Sequence, residues 1–181
     1  QTAGRGRGDR SWRTQPGRDV ACSFVLRSTV EPRLLGSLSM AVALGVAGCL
    51  DRHGITARTK WPNDVVVEGR KIAGILPELG SMGGWKGPRS VVVGVGLNVG
   101  LSAAEAAQID QPATSVFIEK GAAPSPRELL PELLQQIAPW IERWERGGFE
   151  ALRQDWLQCC AGLGQPVTIV DGDHRRSGTL A

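Results

Sequence analysis

Apolar and polar positions along this chain change period several times, and each change predicts an element. Residues 19–28 (DVACSFVLRS) read as a strand. Glu31-Pro32 then opens a helix, because proline at the first helical position loses no hydrogen bond there. Leu35, Leu38, Val42, Val46 and Cys49 recur at three- and four-residue spacing and mark its buried face. Gly54 supplies the stop. Small residues, Gly45 among them, would let this helix lie close against a sheet.

A β-branched run, Val65-Val66-Val67, is separated from a second apolar run by Glu68-Gly69 and Arg70-Lys71. Two such runs joined by two residues ending in glycine predict a hairpin with a tight primed turn. Residues 80–88 are a glycine-rich turn region. From Arg89, SVVVGVGLNVG alternates, with Val91, Val93, Val95 and Leu97 on one face and Val92, Gly94, Gly96 and Asn98 on the other. Residues 103–109 predict a short helix and residues 114–118 an apolar link. Ser125-Pro-Arg-Glu128 is a capping box with Pro126 at the first position. Leu130, Leu133, Leu134, Ile137, Trp140, Ile141 and Trp144 predict its stripe, Pro139 a kink, and Gly147-Gly148 the end. Phe149, Leu152, Trp156 and Cys160 begin another amphipathic turn set, and the last sixteen or so residues alternate around an Asp-Gly turn, too few to bury a core of their own.

Composition narrows the class without deciding it. The chain has 181 residues, 41% hydrophobic and 22% charged, as expected of a domain with a real core. A net charge of +3 is too modest to announce a nucleic-acid binder. The four cysteines (Cys22, Cys49, Cys159, Cys160) show no CxxC and no ligand-spaced partners, so zinc is not expected; a reduced Cys159-Cys160 pair on a helix is favoured over a vicinal disulfide. The apolar stretch around residues 40–49 is broken by glycines and too short to span a membrane, which points to a cytoplasmic protein. The first residue is Gln and the last lies in a strand-like pattern, so the chain reads as a piece of a longer protein.

Chemistry concentrates in two stretches. The first is KWPNDVVVEGRKIAGILPE, residues 60–78, in which the hairpin would bring Lys60 and Lys71 toward one pocket. Two lysines at one site suit a ligand with dispersed negative charge, although a lysine at a strand end is more often a solvated charge. The second is QTAGRGRGDRSW, residues 1–12, whose alternating Gly and Arg suit an anion-wrapping loop, poorly ordered when empty, or equally a flexible basic or RNA-binding tail.

KWPND with RKIAGIL, preceded by the GRGR loop and followed by a Gly-x-Gly-x-Asn strand, resembles the signature of biotin protein ligases. That resemblance implies an α/β (α+β type) fold: a mixed, mostly antiparallel sheet flanked by helices, like the catalytic domain of biotin/lipoate ligases and class II aminoacyl-tRNA synthetases. Residues 1–160 would be that domain, lacking its N-terminal strand and helix, and residues 161–181 the beginning of a small SH3-like β-barrel. The implied activity joins biotin to ATP as biotinyl-5'-AMP and transfers biotin to a lysine of the biotin carboxyl carrier protein of acetyl-CoA carboxylase or a related carboxylase.

The implied sites follow the motifs. Lys71 would be the central cation, with Arg7 clamping the adenylate. Gln1, Arg5, Gly6, Arg7, Lys71 and Gly74 would surround biotin, with Gly74 leaving room for its ring system. Arg10, Trp12, Lys60, Asn63, Asp64, Gly94 and Asn98 would serve ATP, Trp12 beside the adenine and Asn98 at a phosphate or its metal. Mg²⁺ is expected with ATP, but one carboxylate, Asp64, makes no certain protein-held metal site. Gly8-Asp9 departs from the family's basic or polar residue followed by glycine, which predicts altered loop closure or affinity. The alternatives are a lipoate or octanoate ligase or transferase of the same fold, or an inactive fragment. Homodimerisation through a sheet edge is compatible with this reading, and any DNA-binding domain would lie upstream of Gln1.

Overall fold

The computed structural model describes residues 3–8, 10–80 and 89–181. It begins with a small antiparallel ribbon, β1 (Gly4–Arg5) with β2 (Ser11–Trp12). The ribbon stands where the glycine content predicts poor order. Gly6 N–H donates to the Arg10 carbonyl at 2.7 Å, and Gly8 takes a positive φ of 66°, so glycine here permits a turn.

Five strands form the central sheet: β3 (Val20–Ser28), β4 (Arg58–Lys60), β5 (Asp64–Val67), β6 (Arg70–Leu79) and β7 (Arg89–Leu97). Their order is β3-β7-β6-β5-β4, and every neighbouring pair is antiparallel. Among the described residues, parallel pairing is confined to two isolated bridges, Thr59 with Cys160 and Lys71 with Ala113. The β5–β6 turn is the expected primed one, with φ of 50° at Glu68 and 79° at Gly69. Val91, Val93, Val95 and Leu97 are buried as the alternation predicts.

Helices cover that apolar face. A 3₁₀ turn (Pro32–Ser37) runs into α1 (Leu38–Arg52), whose Leu38, Val42, Val46 and Cys49 are fully buried. Residues 33–52 are together long and apolar enough to cross a membrane, longer than the glycine-broken stretch suggested. Two-thirds of that stretch is nevertheless buried against its own fold, the pattern of a core helix. After the short α2 (Ala103–Ala106), the segment read as an apolar link is instead helical, α3 (Val116–Lys120), with the Ser115 hydroxyl accepting from Ile118 N–H.

Helix α4 (Pro126–Gly147) carries both halves of the capping box, and Gly148 caps its end. Pro131 and Pro139 both sit inside it without ending it; both are exposed. The buried row is Leu129, Leu133, Ile137, Ile141 and Trp144, while Leu134 is exposed and Leu130 and Trp140 lie at the rim. The expected stripe was therefore displaced by part of a turn, because α1 and not the sheet sets the buried phase. Gly45 shows the same geometry: a Cβ there would sit 2.5 Å from Ile137 Cα, so the close approach is to α4. Helix α5 (Arg153–Cys159) follows, with Phe149 and Trp156 in an edge-to-face contact at 5.9 Å. The hairpin β8 (Pro166–Asp171) with β9 (His174–Thr179) ends the chain and leaves Ile169 and Val170 exposed.

Candidate active site

Opposite the helical layer, the sheet forms the floor of a cavity of about 630 Å³ roofed by the β1–β2 ribbon. Strand β6 aims its side chains into it through an irregularity. Val66 pairs with Lys71 but Val65 with Ala73, so Ile72 is an extra residue. In a regular strand, residues three apart point to opposite faces. The extra residue resets the phase, and Lys71 shares the cavity with Gly74, Leu76 and Glu78.

The lysine is held from several directions. Its backbone N–H donates to the Pro112 carbonyl at 2.8 Å, and its carbonyl accepts from Thr114 N–H at 2.9 Å. Its ammonium lies 2.6 Å from Asp64 Oδ1, with both side chains largely buried. It also sits 5.4 Å from the centre of a Trp12 ring, a cation–π distance.

Trp12 explains two of the glycines. A Cβ on Gly96 would lie 2.3 Å from the indole, and one on Gly74 3.1 Å from it and 3.2 Å from Lys71 Cε. Gly74 thus makes room for the chain's own tryptophan and lysine as well as bordering the cavity. Gly94 meets nothing closer than the Leu76 carbonyl at 3.6 Å and opens onto the cavity floor.

The ribbon contributes Arg5, Gly6, Arg7 and Arg10 to the lining, and Arg13 follows. Four arginines and Lys71 therefore surround a space with the carboxylates Asp64, Glu78 and Asp110 on its wall. Asp64 is paired with Lys71, and Glu78 with Arg5 at 2.7 Å. Among the described residues these pairings engage two of the three carboxylates at the cavity wall. The Cys22 thiol at the wall is pushed up by burial, which keeps it protonated and a poor nucleophile at neutral pH.

The loop leaving the ribbon is anchored to the end of β7. Asp19 Oδ1 accepts from Val99 N–H at 2.9 Å and Gly100 N–H at 3.2 Å. Arg18 makes a two-pronged pair with Glu105, at 2.9 and 3.0 Å, and also donates to the Gly100 carbonyl. Hydrogen bonding from the Ser102 hydroxyl, and then Arg18, lowers the Glu105 carboxyl to about 2.

Of the residues expected at the site, Arg5, Gly6, Arg7, Arg10, Trp12, Asn63, Asp64, Lys71, Gly74, Gly94 and Asn98 line this one cavity. Lys60 does not. It is exposed on the edge strand β4, because the Trp61-Pro62-Asn63 turn separates it from the hairpin that carries Lys71. Gln1 and Asp9 lie outside the described residues. The two asparagines hold the frame: Asn63 Nδ2 donates to the Ile75 carbonyl at 2.9 Å, and Asn98 Nδ2 to the Thr114 carbonyl at 3.0 Å.

Sequence reasoning missed Glu78 and the wall at Ile109, Asp110, Gln111 and Ala113. Two-residue periodicity from Gly74 would have found Glu78. Nothing local marks residues 109–113, which reach the cavity where Ala113 bridges Lys71 beyond the end of β7.

The family model for biotin/lipoate A/B protein ligases matches residues 1–98, which contain the ribbon, the hairpin and β7. A biotin–[acetyl-CoA-carboxylase] ligase of Paracoccus denitrificans is 37% identical over 98% of this chain and 75% of its own length. The chain belongs to the biotin/lipoate A/B protein ligase family. The bifunctional ligase/repressor BirA of Escherichia coli is 29% identical over 98% of this chain, which spans 55% of that relative. A biotin protein ligase from Aquifex aeolicus, solved in complex with biotin and ATP, superposes with a TM-score of 0.83 at 27% identity, covering 99% of this chain and 73% of that one. The fold that this chain shares with it is an antiparallel sheet with helices, and the final strand pair is consistent with the start of an SH3-like domain.

Proposed function

We propose that this chain is the catalytic unit of an ATP-dependent biotin–protein ligase. The observation that carries the reading is the gathering of Arg5, Arg7, Arg10 and Lys71 around a cavity floored by glycines, in a chain whose relatives are biotin ligases. The first step joins two anions. A biotin carboxylate oxygen attacks the α-phosphorus of ATP, the bond to the β-phosphate oxygen breaks, and pyrophosphate leaves. Charge accumulates at the reacting phosphate, so fixed cations lower the barrier more than mobile ones.

Lys71 is the fixed cation. Its backbone N–H and C=O are bonded to the 112–114 segment, it lies opposite Val66 in the sheet, and Asp64 with Trp12 restricts its ammonium. Arg7 and Arg10 meet the phosphate charge from the ribbon, and Arg5 closes over the adenylate. In the second step an acceptor lysine amine attacks the mixed anhydride and AMP leaves. Mg²⁺ enters with the ATP phosphates. The acceptor we propose is a biotin carboxyl carrier protein, as the names of the relatives suggest, and the compartment the cytoplasm. Residues 1–160 form the ligase domain and residues 161–181 open the barrel. Strand β3 is a sheet edge with Val25 exposed, a surface on which a second copy would pair.

The test is adenylate formation from ATP, Mg²⁺ and labelled biotin, with Lys71→Ala as control and lipoate as competitor. Biotinyl-adenylate lost in the control supports the reading. Lipoyl-adenylate formed in preference would move the chain to the lipoate branch, and no adenylate from folded protein would refute activity of this chain alone.

A further inference from the structure

Away from the cavity, the end of α1 meets the start of α4 at an unusual set of side chains. Cys49 lies in the last turn of α1 and His53, four residues on, is the residue that caps it. Glu132 on α4 faces both. A Cys49 sulfur, a His53 nitrogen and a Glu132 oxygen all lie within 4.8 Å of one another. Sequence spacing did not show this set, because its third member is 79 residues from His53.

We infer that Cys49, His53 and Glu132 form a binding site for one thiophilic divalent cation of the zinc class, clamping α1 to α4. This inference stands apart from the ligase reading, since none of the three residues lines the active-site cavity. A thiolate, an imidazole and a carboxylate are the donors zinc prefers, and they discriminate against Mg²⁺ and Ca²⁺, which take oxygen ligands. Donors around a tetrahedral zinc ion stand about 3.3–3.8 Å apart, given metal–ligand bonds of roughly 2.0–2.3 Å. His53 Nε2 and Glu132 Oε2 are already 3.1 Å apart, so Cys49 sets the remaining closure.

Burial suits a site with one open position. Cys49 is fully buried, whereas the His53 and Glu132 side chains keep 28% and 27% of their exposure. A water completes the coordination from the solvent side. Arg52 binds the other carboxylate oxygen of Glu132, Oε1, at 2.6 Å and orients Oε2 toward the site. On binding, the Cys49 thiol releases its proton to solvent and the sulfur donates its electron pair to the metal. The competing account is that Glu132 merely pairs with Arg52 and His53 near the C-terminus of α1, where cations are favoured.

The experiment is a Co²⁺ titration of the chelator-treated full chain, read by the near-ultraviolet thiolate-to-cobalt charge-transfer band and followed by Zn²⁺ displacement. One Co²⁺ per chain is expected, with the band lost in Cys49→Ser and binding at least about tenfold weaker in His53→Gln and Glu132→Gln. Circular dichroism of Cys49→Ser checks that this buried variant still folds, and His53→Gln, at a partly exposed position, tests the same site without disturbing the core. No band overturns the inference. So does a band that survives Cys49→Ser and disappears instead on replacing Cys22 or the Cys159-Cys160 pair.

Discussion

The β5–β6 hairpin and the β1–β2 ribbon both bring cations to one cavity, but they hold them in opposite ways. Lys71 is only 14% exposed and is bonded through backbone, carboxylate and ring. Arg5 is 74% exposed, and it pairs with a partly exposed Glu78. A group whose position is set before substrate arrives contributes at the transition state without reorganising. A group on an exposed glycine ribbon that orders around a ligand loses entropy that its new contacts must exceed, and once closed it slows escape. On the ligase reading proposed above, the hairpin would accelerate the chemistry and the ribbon retain what the chemistry makes.

The largest expected effect tests the rigid half. Lys71→Ala should lower the rate of adenylate formation by roughly 10²–10³-fold, the range for removing one preorganised charge stabiliser. The KM for each substrate should change much less. Single-turnover kinetics separate the two; a variant that loses only affinity would place Lys71 with the ribbon arginines instead.

Next comes the seam between the halves, where Trp12 of the ribbon lies on Gly96 of the sheet. A methyl at position 96 would stand 2.3 Å from the indole, so Gly96→Ala must move the ring. Overpacking of this kind costs about 1–3 kcal/mol, and about 1.4 kcal/mol of it, toward the lower end, is tenfold in affinity. The expected readout is a KM for ATP raised about tenfold with the KM for biotin altered less. An unchanged ATP KM would mean that Trp12 leaves this position when ATP binds.

Much of this arrangement is legible in the chain. Glu68-Gly69 flanked by β-branched runs specifies the hairpin, because only positive φ at both positions matches the strand twist. The alternation in β7 specifies which face holds glycine. What could not be read depends on partners distant in sequence. The extra residue Ile72 turns Lys71 into the cavity, and no local residue type announces it. Lys60 was expected on the ATP side of the pocket that holds Lys71, yet the turn at 61–63 gives it to an edge strand. The α4 stripe fell on Leu129 because α1, some eighty residues earlier, decides which row is buried. The cysteines showed no ligand-spaced partner in sequence, because Glu132 joins Cys49 and His53 only through the packing of α4 on α1.

A smaller effect is expected at the ribbon's tether. Glu78→Gln removes the Arg5–Glu78 pair, and exposed pairs are worth only about 0–1 kcal/mol. Thermal stability should hold, and the KM for biotin should shift by no more than about threefold, the shift vanishing at high salt. Equal effects at low and high salt would show that Glu78 acts by shape and not by charge.

The smallest effect concerns the anchor at the ribbon's far end, where Arg18 grips Glu105. Hydrogen bonds from Ser102, and then Arg18, hold the Glu105 carboxyl at about 2, below its ordinary 4.5. A carboxylate depressed in the folded state stabilises the fold above its unfolded pKa and loses that contribution as pH falls through its folded one. The stability from Glu105 is therefore complete at neutral pH and drains between about 4.5 and about 2. Glu105→Gln should leave a shallower acid limb across that window in urea midpoints taken against pH. Glu128 shares the capping-box geometry, and its carboxyl is also lowered by its serine, with no arginine among the causes. Glu128→Gln is thus the matched comparison: if both variants flatten the limb equally, the capping serines account for it and the Arg18 anchor adds nothing to the ribbon's footing.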